Sequence, residues 1–367
     1  MADIAMPVHA RRRLSTYQIV QIVLGVVIVL FVAWRLYEVL FVDRTYGLDT
    51  WAKFLVYGVI RGSVYALIAI GYTLVYGILR MINFAHGDIF MVGCFGGYFV
   101  FQGLGAMTVD SASGLTFLNA FPIIAVILSF AAGILVAALT AFLAERVAYR
   151  PLRGSPRLVP LISAIGVSLF LENLFQLVFG PQRRVYTNPD LLDPQKAIIW
   201  TVSGQPVSIP YTGIFTFVLA VVVLIGLYTV VQRTKLGRSM RAVAEDKQTA
   251  ALMGIDVNKT IAQTFLISGA LAGVAGVMWG IHYRYLYFNT GFTPGIKAFT
   301  AAVLGGIGNL PGAMLGALLI GLIEEIGPSA LGMPLQMQDV LAFSILVLVL
   351  IFRPSGILGE VLGGEKL

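Results

Sequence analysis

Apolar residues fall in long blocks rather than in short alternating runs. Stretches of about 20 residues with few charges cover about 17–41, 54–78, 82–101, 118–144, 158–180, 211–231 and 261–281, each long enough to carry a helix across a hydrocarbon layer roughly 30 Å thick. A last apolar region runs from about 297 to 352. Gly305, Gly306, Gly308 and Pro311 interrupt its first part, and a polar, proline-containing patch at 327–339 precedes its final run, at about 338–352. The pattern predicts an all-α polytopic membrane protein with eight full spans, and about 8 to 10 membrane segments when short or broken helices are counted. In this reading 297–326 is a hairpin of two short helices meeting near Gly308, Asn309, Leu310 and Pro311, where irregular backbone needs protein or a watery cavity around it.

Composition supports the membrane reading. Of 367 residues, 58% are hydrophobic and 12% charged, against about 25% charged in an ordinary soluble domain, which excludes both disorder and a water-soluble fold. The 40 glycines and 15 prolines suit helices that pack closely or are interrupted at defined points. With Cys94 as its one cysteine, the chain forms no intrachain disulfide and supplies no cysteine metal cluster. The formal charge of +7 comes from basic residues between apolar blocks, so nucleic acid is not an expected partner. Arg11, Arg12 and Arg13 precede an apolar run that resembles a secretory signal but continues to about Leu40. That is too long for a signal core, and the run reads as a retained first span.

Placing the N-terminus inside assigns to the cytoplasm Arg11 to Arg13, Arg80, the arginines of 146–157, the basic residues of 232–260, Arg353 and Lys366. The other side receives Arg44, Lys53, Arg183, Arg184, Lys196, Arg284 and Lys297. Sixteen against seven favours this orientation, with both termini cytoplasmic. The expected organisation is a cytoplasmic N-terminal tail at 1–16, a transmembrane domain at 17–352 with a cytoplasmic loop at 232–260 and an outer loop at 181–210, and a cytoplasmic C-terminal tail at 353–367.

Two glycine-broken segments, 83–97 and 301–316, occupy related places in the two halves, a pattern that marks substrate paths at repeat interfaces. The matched pieces are NFAHGD at 83–88 and GGIGNLPG at 305–312, each after a small-residue helix, 62–77 and 269–280. Asn83, His86 and Asp88 are polar groups in an apolar stretch. They either line the path, with His86 and Asp88 paired, or cap a helix at the cytoplasmic end through Asn83 or Asp88; Gly87 permits tight geometry in both readings. One histidine beside one carboxylate is too little for zinc, which takes about four ligands, so no metal is expected. Glu324 and Glu325 end an apolar segment, where a solvated terminus competes with a proton-carrying role. Glu145, Glu172 and Arg61 read as interhelical partners.

The loop at 232–260 reads as one amphipathic helix from about Leu236 to Met253 with Gly254 as its C-cap. Leu236, Met240, Val243 and Ala244 share a face, which Ala251 and Leu252 extend approximately. A helix lying on lipid headgroups would suit its Arg and Lys content, whereas Glu245 and Asp246, with nearby small residues, fit a cytoplasmic partner. No GxSxG, HExxH, Walker A or dinucleotide motif is present, and the glycines at 305–316 lack the lysine of a phosphate loop. Catalysis therefore finds no motif, no cofactor of the chain's own is expected, and whatever energises it is bound elsewhere.

Four segments carry a specific resemblance: GSVYALIAIGYTLVYGILRMINFAHGDIFMVG at 62–93, TKLGRSMRAVAEDKQTAALMGIDVNK at 234–259, SGALAGVAGVMWG at 268–280 and KAFTAAVLGGIGNLPGAMLGALLIGLIEE at 297–325. Together they make the chain, from about 50 to 355, similar to the H-type permease subunits of high-affinity branched-chain amino acid ABC importers. The resemblance implies a bacterial inner-membrane location, a second homologous permease, two cytoplasmic ATPases holding ATP and magnesium, and an extracytoplasmic substrate-binding protein. It also implies that 234–259 is the coupling loop, on which Gly237, Arg238, Ala244, Glu245, Asp246, Ala250 and Gly254 match the family pattern. Asn83, His86, Gly87, Asp88, Gly305, Gly306, Gly308, Asn309 and Pro311 are the expected path residues or their structural support. The alternatives are a urea or short-amide importer and, from another class, a stand-alone carrier or channel using Asp88, Glu324 or Glu325.

Overall fold

The apolar blocks fold as helices whose ends coincide with the glycines, prolines and caps that punctuate them. The computed structural model describes residues 16–42, 46–110, 114–156, 158–193, 195–353 and 355–359. Arg11 to Arg13, Arg44, Arg157, Lys366 and the tail segments 1–15 and 360–367 lie outside the described residues. Helix α1 (Thr16–Tyr37) leads to α2 (Leu48–Leu79) and α3 (His86–Ala106), followed by strands β1 (Thr108–Asp110) and β2 (Leu115–Thr116) and the short α4 (Phe117–Ala120). Next come α5 (Pro122–Ala144), α6 (Leu158–Phe179), strands β3 (Arg184–Val185), β4 (Ala197–Val202) and β5 (Gln205–Pro210), and α7 (Tyr211–Arg233). The chain ends with α8 (Lys235–Glu245), α9 (Lys247–Leu252), α10 (Val257–Tyr283), β6 (Tyr285–Leu286), α11 (Phe292–Gly305), α12 (Leu310–Ala330) and α13 (Gln338–Phe352). The strands form three small antiparallel pairs in loops, β1 with β2, β3 with β6 and β4 with β5, so the fold is all-α.

Among the described residues, nine helices are long and apolar enough to cross a membrane. This corrects the expected hairpin of two short helices. Helix α11, with 14 residues, rises only about 21 Å and falls short of a full span. Helix α12 is full length at 21 residues: Asn309 caps it, Pro311 sits in its first turn, and the next proline, Pro328, comes only near its end. The intervening turn uses Gly306 and Gly308 at φ +108° and +98°, a backbone region that favours glycine.

The core is built on small residues that let backbones touch. On α2, Gly58 and Gly62 lie against Gly321 and Leu318 of α12; on α10, Gly269 and Gly273 lie against Gly133, Ala137 and Ala141 of α5. The same relation occurs twice, since the first helix of one set (α2, α3, α5, α6) packs on the third helix of the other (α10, α11, α12, α13), and the converse also holds.

The repeat registers differently from the expectation that paired 83–88 with 305–312. Helices α2 and α10 both end on an arginine in the left-handed region, Arg80 at φ 53° and Arg284 at φ 60°, each donating its N–H to the carbonyl four residues back. Seven residues after each arginine stands a glycine, Gly87 and Gly291. The counterpart of 80–87 is therefore 284–291. The glycine-dense segment 305–312 is instead a turn between α11 and α12 and sits beside Gly77 near the end of α2.

Candidate functional site

Residues 80–85 leave the end of α2 and turn back into the bundle, so that α3 starts beside Gly71. Gly71 lies eight residues before the end of α2, or about 12 Å of helix rise. His86 rests on the bare Cα of Gly71. Its Nδ1 lies 3.3 Å from Ser268 Oγ, which donates to Gly71 O at 3.0 Å, and its ring meets Tyr72 edge-on at 4.6 Å. His86 and Asp88 take separate partners, because residues two apart on a helix point to different sides. Asp88 instead accepts from the Ser168 hydroxyl of α6. Asn83 accepts from Tyr149 OH at 2.8 Å, and its backbone carbonyl receives the His86 N–H at 3.1 Å. The N-cap of α3 is Ala85, with no side-chain cap; neither Asn83 nor Asp88 takes the capping role.

A cavity of about 250 Å³ opens where α3, α6 and α11 meet. Phe84, Ile165, Leu169, Phe292 and Ile296 give it apolar walls, while Tyr72, Asp88, Ser168 and Glu172 supply its polar side chains. Asp88 is 1% exposed. Asp88 Oδ1 and Glu172 Oε1 are buried and have no hydrogen-bond partner among the described residues. Gly87, Gly291 and Gly295 form the remaining wall, where α3 and α11 approach backbone to backbone.

A second cavity, of about 220 Å³, lies on the other side of the first turn of α11, among Arg61, Tyr65, Tyr283, Lys297, Gln338 and Asp339. Lys297 Nζ lies 2.9 Å from Glu324 Oε1 and 2.7 Å from Asp339 Oδ1. Arg61 reaches Glu325 at 2.6 Å, Glu324 at 3.5 Å and Gln338 at 2.7 Å, and Tyr65 OH donates to Glu324 at 2.9 Å. The network ties α2, α11, α12 and α13 together. Glu324 and Glu325, considered above as proton carriers, are both held in ion pairs. Lys297 and Asp339 were not singled out by sequence reasoning, although a lysine inside an apolar block was the available signal.

Gly305, Gly306, Gly308, Asn309 and Pro311 are not brought to either cavity. Asn309 Oδ1 accepts from the Gly312 N–H at 3.0 Å, and its Nδ2 donates to Leu358 O at 2.9 Å. Ile357 and Leu358 donate their N–H groups to the carbonyls of Leu304 and Gly305 at 2.8 and 2.9 Å, closing the end of α11. These residues build a turn fastened by the segment 355–359.

At the same end, the segment expected as one helix over 236–253 divides at Asp246. Asp246 is extended (φ −149°) and caps α9, its Oδ1 accepting from the N–H groups of Gln248 and Thr249. Its Oδ2 accepts from the Thr249 hydroxyl at 2.6 Å. The Thr249 hydrogen bond, followed by the two backbone bonds, holds the Asp246 carboxyl below its ordinary range. Thr234 caps α8 by accepting from Gly237 N–H at 3.1 Å. Gly237, Met240 and Val243 are buried, and a Cβ at Gly237 would run into the carbonyls of Val230 and Val231. Arg238, Glu245 and Asp246 face outward, Ala244 is half-buried, and Ala250 is buried. Gly254 ends the segment at φ +82°, as a C-cap should. Leu252 and Met253, 87% and 78% exposed, stand bare at the tip rather than extending the buried face. Helical periodicity continued through Asp246 places Leu252 on the inner side; the break at Asp246 turns it outward.

Among the described residues, no three His, Cys, Asp or Glu side chains gather to hold a metal ion.

The profile of the family described as "Branched-chain amino acid transport system / permease component" matches residues 54–350. The chain is 47% identical over 306 residues to the high-affinity branched-chain amino acid transport system permease protein BraD of Pseudomonas aeruginosa, covering 83% of this chain and 95% of BraD. It is 41% identical over 306 residues to LivH of Escherichia coli, the same kind of permease protein, with 83% and 94% covered. A shorter match, 35% identity over 129 residues covering 34% of this chain and 37% of the relative, links it to the autoinducer 2 import system permease protein LsrC of an Enterobacter species.

Proposed function

The chain belongs to the branched-chain amino acid transport permease family, and from this premise we propose that it is the H-type permease subunit of an ATP-driven importer of branched-chain amino acids. The observation that carries the reading is the match to BraD over nearly that protein's whole length. The multi-pass helical fold supports it. Its substrate crosses chemically unchanged, and ATP with magnesium is bound and hydrolysed on partner subunits.

In the proposed assembly, a second homologous permease completes the path, two cytoplasmic ATPases drive it, and an extracytoplasmic binding protein delivers the solute. The permease domain spans 17–352 in a bacterial inner membrane, with both tails and the 232–260 loop in the cytoplasm. The charge asymmetry supports this orientation. So does the gathering of the 80–85 break, the 145–155 segment, α8, the α11–α12 turn and residues 355–359 at one end of the bundle, as seen in Tyr149 with Asn83, Arg153 with Asn258 and Gly306 with Gly359.

Helices α8 and α9 are the proposed coupling element, with Arg238, Glu245, Leu252 and Met253 facing the ATPase. Gly237, Ala244, Ala250 and Gly254 hold the two helices in shape, and Asp246 sets the angle between them. ATP binding would shift this element and bias the bundle between outward-facing and inward-facing states, which requires that the ATPase contact it differently in the two. Asn83, His86, Gly87 and Asp88 position the broken helix α3 at the path, and Gly305, Gly306, Gly308, Asn309 and Pro311 support it from the cytoplasmic end.

Purification in mild detergent followed by mass spectrometry tests the assembly. A second permease and one or two ATPases should accompany the chain. A chain that comes alone from gently solubilised native membranes would contradict the reading.

A further inference from the structure

We propose that the cavity between α3, α6 and α11 is a transient binding site for the ammonium group of an aliphatic amino acid, held by Asp88 and Glu172. The proposal rests on the importer reading and adds a ligand subsite to it.

The cavity presents two carboxylates and, among the described residues, no cationic side chain. Asp88 spends Oδ2 on Ser168 and leaves Oδ1 buried and unpaired; Glu172 likewise leaves Oε1 buried and unpaired. Among the described residues, no Lys, Arg or His lines the cavity. By contrast, the buried Glu324, which pairs with residues lining the second cavity, has Lys297 and Arg61 beside it. Unpaired carboxylates at membrane depth are costly, and a cation with several N–H donors removes that cost through charge-assisted bonds.

The walls select among cations. Ile165, Leu169, Phe292 and Ile296 offer an aliphatic side chain a dry surface but give a bare metal ion nothing to replace its water. The volume of about 250 Å³ is below the roughly 300–1,000 Å³ of drug-sized pockets, which suits a solute of amino-acid size. The cavity also reaches the start of α11 at Gly291 and Phe292, where the positive end of the helix dipole favours the carboxylate of such a solute. Gly291 packs directly on Asp88.

Saturation-transfer NMR on the purified permease complex in nanodiscs, without the binding protein, tests the site with three probes: leucine, 3-methylbutylamine, which lacks the carboxylate, and 4-methylpentanoate, which lacks the ammonium. Leucine and the amine should bind and compete, and the acid should not. Glu172→Gln should weaken amine binding roughly tenfold or more, and Asp88→Asn should do the same in a complex that still copurifies with its partners. Absence of amine binding, acid binding as strong as the amine's, or amine binding unchanged in Glu172→Gln overturns the proposal. Failure of the importer reading has a different signature, the absence of ATPases from the same preparation, and leaves the NMR result standing.

Discussion

Gly87 and Gly291 touch reciprocally: a Cβ on Gly87 would come within 2.7 Å of the carbonyl oxygen of Gly291, and a Cβ on Gly291 would run into the carbonyl of Gly87. A contact in which each residue meets the other's equivalent atom is what a local two-fold axis produces. It places the starts of α3 and α11, the two broken elements of the halves, back to back inside the bundle. Gly291→Ala should therefore force the two helices apart and destabilise the protein by about 1–3 kcal/mol. Gly226→Ala on α7, where a Cβ meets nothing within 4 Å, should change stability by less than about 0.5 kcal/mol. Thermal unfolding in detergent compares them, and equal effects would remove the contact from the account.

Lys297 and Glu324 are both almost fully buried, with side chains 5% and 0% exposed. Lys297→Met leaves Glu324 with Arg61 at 3.5 Å as its remaining cationic partner and should cost about 3–5 kcal/mol, the usual consequence of stranding a buried charge. Adding Glu324→Gln should restore a large part of that loss. Additive effects in the double-mutant cycle would show that the pair is not coupled.

Glu245 and Leu252 stand on the outer surface of the proposed coupling element. Glu245→Arg should uncouple ATP hydrolysis from uptake while leaving the bundle folded, as read by hydrolysis and leucine uptake in the same proteoliposomes. Leu252→Asp should lower affinity for the ATPase about tenfold or more by placing a charge where an apolar contact is needed. Unchanged coupled transport in both variants would move the coupling surface elsewhere.

The Asp246 cap gives a pH dependence with a definite sign. The Thr249 hydroxyl, then the N–H groups of Gln248 and Thr249, hold the Asp246 carboxyl below its ordinary range. A group depressed on folding stabilises above its unfolded value, about 3.9, and loses that contribution as pH falls through its lower native value. The α8–α9 joint should therefore be intact at neutral pH and loosen only in strong acid. Carbon NMR titration of the Asp246 carboxyl should show the low value, and Thr249→Val should raise it. A titration unmoved by Thr249→Val would separate the cap from that hydroxyl.

Much of this was legible in the chain because lipid makes few demands and makes them plainly. Uninterrupted apolar length marked the helices, and the buried face of α8 at Met240 and Val243 followed from helical spacing. Features that depend on distant residues were not legible. Asp246 reads as one more helical position until its side chain is seen bonding to Thr249. Arg80 and Arg284 do not announce that both take left-handed conformations, so glycine density suggested the wrong register for the repeat. Asp88 showed as a polar residue in an apolar run, but its partner, Ser168, lies 80 positions away, and the cavity that the two share with Glu172 exists only once α6 is packed on α3.

Leucine uptake into proteoliposomes decides whether this chain is the permease of an ATP-driven amino acid importer. These would carry the purified complex, with binding protein outside and ATP either sealed inside or left out. Accumulation is expected only with internal ATP and only when the copurified ATPases are present. Leucine uptake by the chain alone, indifferent to ATP, would contradict it and make the chain a stand-alone carrier.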